Sequence, residues 1–189
     1  MKQLVPEDHE ILNRETIPFS RLAPPMDANQ LRDELIESMH YYGGVGLSAN
    51  QIGYKYKAFS MLHEGQEMVI FNPEIIEISE DFIYEMEGCL SYPGLYVKIL
   101  RPKSVSASWE DASGENFTGY FSDLSARIFL HEMDHMDGRI YYEHAKRLHL
   151  QNARKKRRTN LKQLKTKSPE LWQSHINNKK LRKNLVRTS

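Results

Sequence analysis

The sequence predicts an α+β fold in which antiparallel β-sheets pack around one central helix, followed by a basic helical extension. Three observations predict it. Residues 57–121 break into short apolar runs of strand length, segments of helical period flank that stretch, and the charge divides sharply near residue 145.

The first helix is expected from Asp27 to Tyr42. Asp27 can cap it with Gln30 three residues on, Leu31, Leu35 and Met39 recur on one face, and Gly43-Gly44 stops it. Strand-like runs follow at Ala58 to Leu62, Met68 to Phe71 and Ile75 to Ile78. Val105, Ala107 and Trp109 then alternate before the turn Asp111-Ala112-Ser113-Gly114. Asp123 is expected to cap a second, central helix through Leu124, Ile128, Leu130 and His131 to about Met136, with Gly138 past its end. From Glu143 the pattern turns helical again and restarts at Ser168-Pro169-Glu170, because Ser caps and Pro suits the first helical position.

A chain of 189 residues has room for one good core. It is read as a body over residues 1–150 and an extension over 151–189. Residues 1–145 hold 11 lysines and arginines against 24 acids, whereas residues 146–189 hold 15 against one, so a basic tail follows an acidic body. No apolar run approaches the roughly 20 residues of a membrane helix. The opening Met1 to Asp8 has no apolar signal core and is too acidic for a transit peptide, so the expected location is the cytoplasm. The lone Cys89 cannot form an internal disulfide, which leaves a buried thiol, a ligand or a nucleophile.

The central helix carries the most informative residues, His131-Glu132-Met133-Asp134-His135. Residues four apart on a helix share a face, so His131 and His135 can grip one metal ion while Glu132 reaches a reacting water. A hydrolytic metal site usually has three protein ligands, so a third is needed. Downstream, Tyr141 stands where a longer zinc-protease pattern has histidine, Glu143 is too close, and Glu170 lies in the basic tail. The stronger candidate lies upstream in Glu87-Gly88-Cys89-Leu90-Ser91, where a soft thiolate follows a glycine that permits close backbone approach.

Together with Gly44-Val45-Gly46-Leu47-Ser48-Ala49-Asn50-Gln51, these segments resemble, in order, the three motifs of the peptide deformylases. The resemblance spans roughly residues 1–150. It implies a metal-dependent hydrolase that removes the formyl group from the N-terminal methionine of nascent polypeptides, with Cys89, His131 and His135 as metal ligands and Glu132 as general base and acid. It further implies that the Gln51 amide and the backbone N–H of Leu90 steady the oxyanion, and that Val45, Gly46, Glu87 and Gly88 meet the peptide. The implied metal is Fe²⁺, with Ni²⁺, Co²⁺ or Zn²⁺ as substitutes. Ser48 stands where the family most often has alanine, and Tyr96 where some bacterial members carry a substrate-contacting arginine.

Two other readings compete. A zinc peptidase cutting internal bonds would need the missing downstream ligand, and a module whose metal only holds the fold would have no use for Glu132. The basic tail reads either as a solvated helix face or, by the same resemblance, as a contact with ribosomal RNA near the exit tunnel. No membrane or DNA partner is expected.

Overall fold

The computed structural model describes residues 1–188, with side chains through residue 181. Helix α1 spans Ala28–Tyr41, and its N-cap Asp27 accepts a hydrogen bond from the Asn29 N–H. The expected reciprocal capping bond does not form, because exposed Gln30 pairs instead with Glu34 one turn further on. Leu31, Leu35 and Met39 are fully buried, and Gly43 leaves the helix at φ 68.

The strands are β1 (Gly46–Ser48), β2 (Ala58–His63), β3 (Gln66–Ile78), β4 (Phe82–Glu87), β5 (Val97–Pro102), β6 (Ser104–Glu110) and β7 (Asn116–Ser122). Five form an antiparallel sheet in the order β1-β2-β3-β6-β7, and β4 and β5 form a separate antiparallel ribbon. The expected alternation in β6 holds, with Val105, Ala107 and Trp109 all buried. The two runs expected at 68–71 and 75–78 are instead one strand. Pro73 has no N–H for the ladder, and the register against β6 shifts between Phe71 and Glu74, where Asn72 takes φ 47. The Asn72 side chain fills the irregularity, accepting from the Phe19 N–H at 2.7 Å and donating to the Phe19 carbonyl at 3.0 Å.

Helix α2, Asp123–Met136, touches β1, β2, β6 and β7 of the large sheet and β5 of the ribbon. Its N-cap is Ser122, not Asp123, although Asp123 still places a carboxylate at the positive helix end. Phe129 is fully buried against the sheet, stacked on Phe121 at 5.0 Å and edge-on to Phe59 at 5.5 Å. At the other end, Asn50 Nδ2 donates to the His135 carbonyl at 2.7 Å and Thr16 Oγ1 to the Met136 carbonyl at 3.0 Å, while Gly138 turns away at φ 67. These bonds satisfy carbonyls that the helix itself leaves open.

A 3₁₀ turn at Tyr141–His144 precedes α3 (Arg147–Lys167), so the regular helix begins four residues beyond Glu143. Helix α4 is Pro169–Thr188, with Ser168 at the junction as expected. The boundary drawn at residues 150/151 falls in the first turn of α3. Ala153 packs with Tyr92, Leu95 and Tyr141, and Leu164 and Leu171 join the cluster under α1. No helix among the described residues is long and apolar enough to cross a membrane.

The face of α2 that packs on the sheet fixes where its opposite face points. Phe129→Ala removes the ring between Phe59 and Phe121 and is expected to lower unfolding free energy by about 3–5 kcal/mol, read as a shift in urea midpoint. An unchanged midpoint would mean that this aromatic layer does not hold α2.

Candidate active site

Helix α2, the edge strand β1 and the segment after β4 surround a cavity of about 280 Å³. Each contributes through a local feature of the sequence. Gly46 lies directly against α2, where a Cβ would come within 2.5 Å of Glu132 Oε1 and 2.9 Å of Ile128 Cγ2. Only glycine lets the strand approach the glutamate so closely. Gly88 plays the same part beneath Tyr96, whose ring carbons lie 2.7 Å from where its Cβ would be.

The ligand atoms of Cys89, His131 and His135 lie within 4.8 Å of one another, with Cys89 Sγ 3.3 Å from His135 Nε2. They are the one such group of three or more Cys, His, Asp and Glu side chains among the described residues. Burial pushes the Cys89 thiol up, but the His135 and His131 imidazoles outweigh it and bring it down to about 5. A thiolate beside two imidazoles is a donor set that fits a divalent transition metal.

Glu132 is buried, and its Oε2 has no hydrogen-bond partner. Burial pushes its carboxyl up to about 7, against the pull of His131 and His135. Gln51 is also buried. Its Oε1 accepts from the Ser48 N–H at 2.9 Å and the Ser48 hydroxyl at 3.1 Å, which turns its amide nitrogen toward Cys89 Sγ (3.3 Å) and the Ser91 hydroxyl (3.0 Å). Ser48, the departure from the commoner alanine, adds a hydroxyl whose shorter hydrogen bond, at 2.7 Å, goes to Asn50 Oδ1, so the backbone N–H is what fixes this glutamine. Leu90 packs beside Gly44, and Val45 is half exposed at the rim.

Glu87, expected to meet the peptide, lines the cavity, and its buried carboxylate accepts both Arg101 Nε and Nη2 at 2.9 Å, Arg127 Nη1 at 2.6 Å, and a contact from His131 Nδ1 at 3.1 Å. Despite burial, Arg101 and His131 hold it well below the usual carboxylate range. Both of its oxygens are thus engaged, and it holds the His131 ring through Nδ1. Arg101 also meets Asp134 at 2.8 Å, and Asp134 pairs with His144 at 2.9 Å.

Arg101, Arg127, Asp134 and Ser91 were not anticipated as contributors. Arg127 left a trace, since a cation inside Ala126-Arg127-Ile128-Phe129-Leu130, four residues before His131, must find a buried anion on the same helix face. Arg101 left none, because its partner lies across the ribbon.

A family model for polypeptide deformylase matches residues 1–151. The peptide deformylase of Borreliella burgdorferi is 40% identical over 121 residues, covering 61% of this chain and 73% of that protein. A chloroplast and mitochondrial peptide deformylase of Arabidopsis thaliana is 38% identical over 118 residues, which span 43% of that longer protein. Among solved structures, a plant peptide deformylase superposes with a TM-score of 0.76 at 30% identity, covering 89% of this chain and 93% of that one. The Thermotoga maritima enzyme gives 0.73 at 29%, covering 77% and 98%. With a Cys and two His that could hold a metal, a buried glutamate and this likeness over most of its length, the chain belongs to the polypeptide deformylase family, metal-dependent hydrolases that remove the N-formyl group from nascent polypeptides.

Proposed function

We propose that Cys89, His131 and His135 hold one divalent metal ion and that Glu132 moves the proton in hydrolysis of the formyl amide. One observation carries this reading: a buried carboxylate oxygen without a partner stands beside the three clustered donors. A cation bound there supplies Lewis acidity, which polarises the formyl carbonyl and makes water nucleophilic near neutral pH. Glu132 accepts a proton from water as its oxygen attacks the formyl carbon, then delivers it to the departing amine, and formate leaves. A carboxyl raised to about 7 is suited to both steps. The Gln51 amide, pinned by Ser48, and the Leu90 backbone N–H receive the developing oxyanion. β1 is an edge strand, so a peptide can be laid alongside it as an added strand next to Gly46 and Val45, whose carbonyl is already held by the Leu62 N–H at 2.8 Å, with the Gly88 main chain opposite.

Hydrolysis of formyl-Met-Ala-Ser but not its acetylated analogue, with formate as product, is the test that separates this reading from an internal peptidase or an inert metal module. Within it, Glu132→Gln is expected to retain metal and lose about 10²–10⁴-fold in kcat, whereas Cys89→Ala weakens metal binding itself. Near-normal turnover in Glu132→Gln would remove the proton-transfer role, and tight metal in Cys89→Ala would remove the third ligand.

Iron(II) is the proposed ion in the cell, with nickel, cobalt or zinc as substitutes that the same thiolate and imidazole donors accept. Thiolate and Fe²⁺ are both oxidisable, so the iron-loaded enzyme is expected to lose activity in air faster than the nickel-loaded enzyme. Equal half-lives would argue against iron.

Ribosome contact through the basic extension, in the cytoplasm, is part of the same proposal. Lys155, Lys156, Arg158 and Lys162 on α3 are exposed, while half-buried Arg157 pairs with Glu7. Because each phosphate contact releases counterions, co-sedimentation with ribosomes should fall steeply with salt, and replacing these four residues by glutamine should abolish it without unfolding the chain. Salt-insensitive pelleting of both proteins would leave α3 with only a solvated face.

A further inference from the structure

The cavity is closed on one side by a part of the chain that the three motifs do not include. Leu164, Ser168 and Leu171, at the turn between α3 and α4, line it together with the cluster of donors. Their position in the groove can be read from its glycines. Gly46 lies against Glu132 and Ile128, at the reacting end, and Gly44 lies against Leu90, whose Cδ1 would be 2.7 Å from an added Cβ. Leu90 packs in turn on the cluster that holds Leu164 and Leu171. A peptide whose formyl group is at Glu132 and whose backbone runs from Gly46 toward Gly44 therefore carries its later residues to the α3–α4 turn.

The turn is also held in place. Arg157 Nε donates to the Pro93 carbonyl at 3.1 Å and Asn160 Nδ2 to the Gly94 carbonyl at 2.9 Å. Gly94, at φ 76, sits so close to α3 that a Cβ would come within 3.2 Å of the Leu161 backbone nitrogen and 3.3 Å of the Arg157 carbonyl oxygen. Helix α3 is thus locked to the segment that follows Cys89.

We propose that the α3–α4 turn is the distal wall of the substrate groove, and that Leu164, Ser168 and Leu171 select for apolar residues downstream of the formylmethionine. This rests on the deformylase reading of the cleft. The test compares kcat/KM of metal-loaded full-length protein on formyl-Met-Ala-Phe, formyl-Met-Ala-Asp and formyl-Met-amide. The wild type should favour the Phe peptide over the Asp peptide. Ser168→Trp, which fills the groove at a half-buried position, should lower the ratio of formyl-Met-Ala-Phe to formyl-Met-amide efficiency by roughly tenfold or more. Leu171→Ala should narrow the Phe over Asp preference, with thermal unfolding recorded to confirm that the variant is folded. If Leu171→Ala is unfolded, Ser168→Trp decides alone. Equal ratios in wild type and Ser168→Trp would overturn the proposal. Absence of any wild-type activity on formyl-Met-amide would instead count against the reading of the cleft.

Discussion

Burying the Glu87 carboxylate is the constraint around which the rest of the site is arranged. An ionised carboxylate out of water must be matched by cations and hydrogen bonds, and removing one partner of such a group typically costs about 3–5 kcal/mol. Here Arg101 comes from β5, Arg127 and His131 come from α2, and the three meet at the last residue of β4. The ribbon and the central helix are thereby held in one relative position. Two residues further on, Cys89 inherits that position.

The same network explains why an HExxH helix in this chain takes its third donor from upstream. Helix α2 buries Phe129 against the large sheet, sets Glu132 against the edge strand β1, and points His131 and His135 at Glu87 and Cys89. The donor nearest both histidines is therefore on the segment leaving β4. Glycines at 46 and 88 complete the arrangement, the first by letting β1 lie against Glu132 and the second by letting the Tyr96 ring lie against the backbone before Cys89. Rigid supports on several elements leave Glu132 buried with its Oε2 unpartnered, and burial raises the proton affinity of such a carboxylate.

The basic extension has two faces with different physical roles. Among the described residues its lysines and arginines are predominantly solvent-facing, whereas Ala153, Leu164 and Leu171 are buried in clusters that also contain body residues. A solvent-facing basic face and an apolar face that borders the cavity coexist on one hairpin because helical periodicity separates them.

Much of the site was legible in the sequence because its residues belong to local patterns: a four-residue helical spacing at His131 and His135, a glycine before Cys89, and glycines flanking Val45. The first and central helices were legible for the same reason, since their apolar spacing and end signals are local. β1, β4, β5 and β7 were not individually anticipated. Three residues are too few to show a period, and Arg101 occupies a buried position of β5 that would otherwise read as an apolar alternation. The sequence by itself determined that two histidines and a glutamate share one helix and that a cysteine follows a glycine upstream, which makes them the candidates for the chemistry. Only the tertiary structure decided that Glu87 is held by Arg101, Arg127 and His131, that the Ser48 N–H fixes Gln51, and that the α3–α4 turn borders the cavity. Each of these depends on a contact between segments distant in sequence or on side-chain direction, and neither is encoded in local spacing.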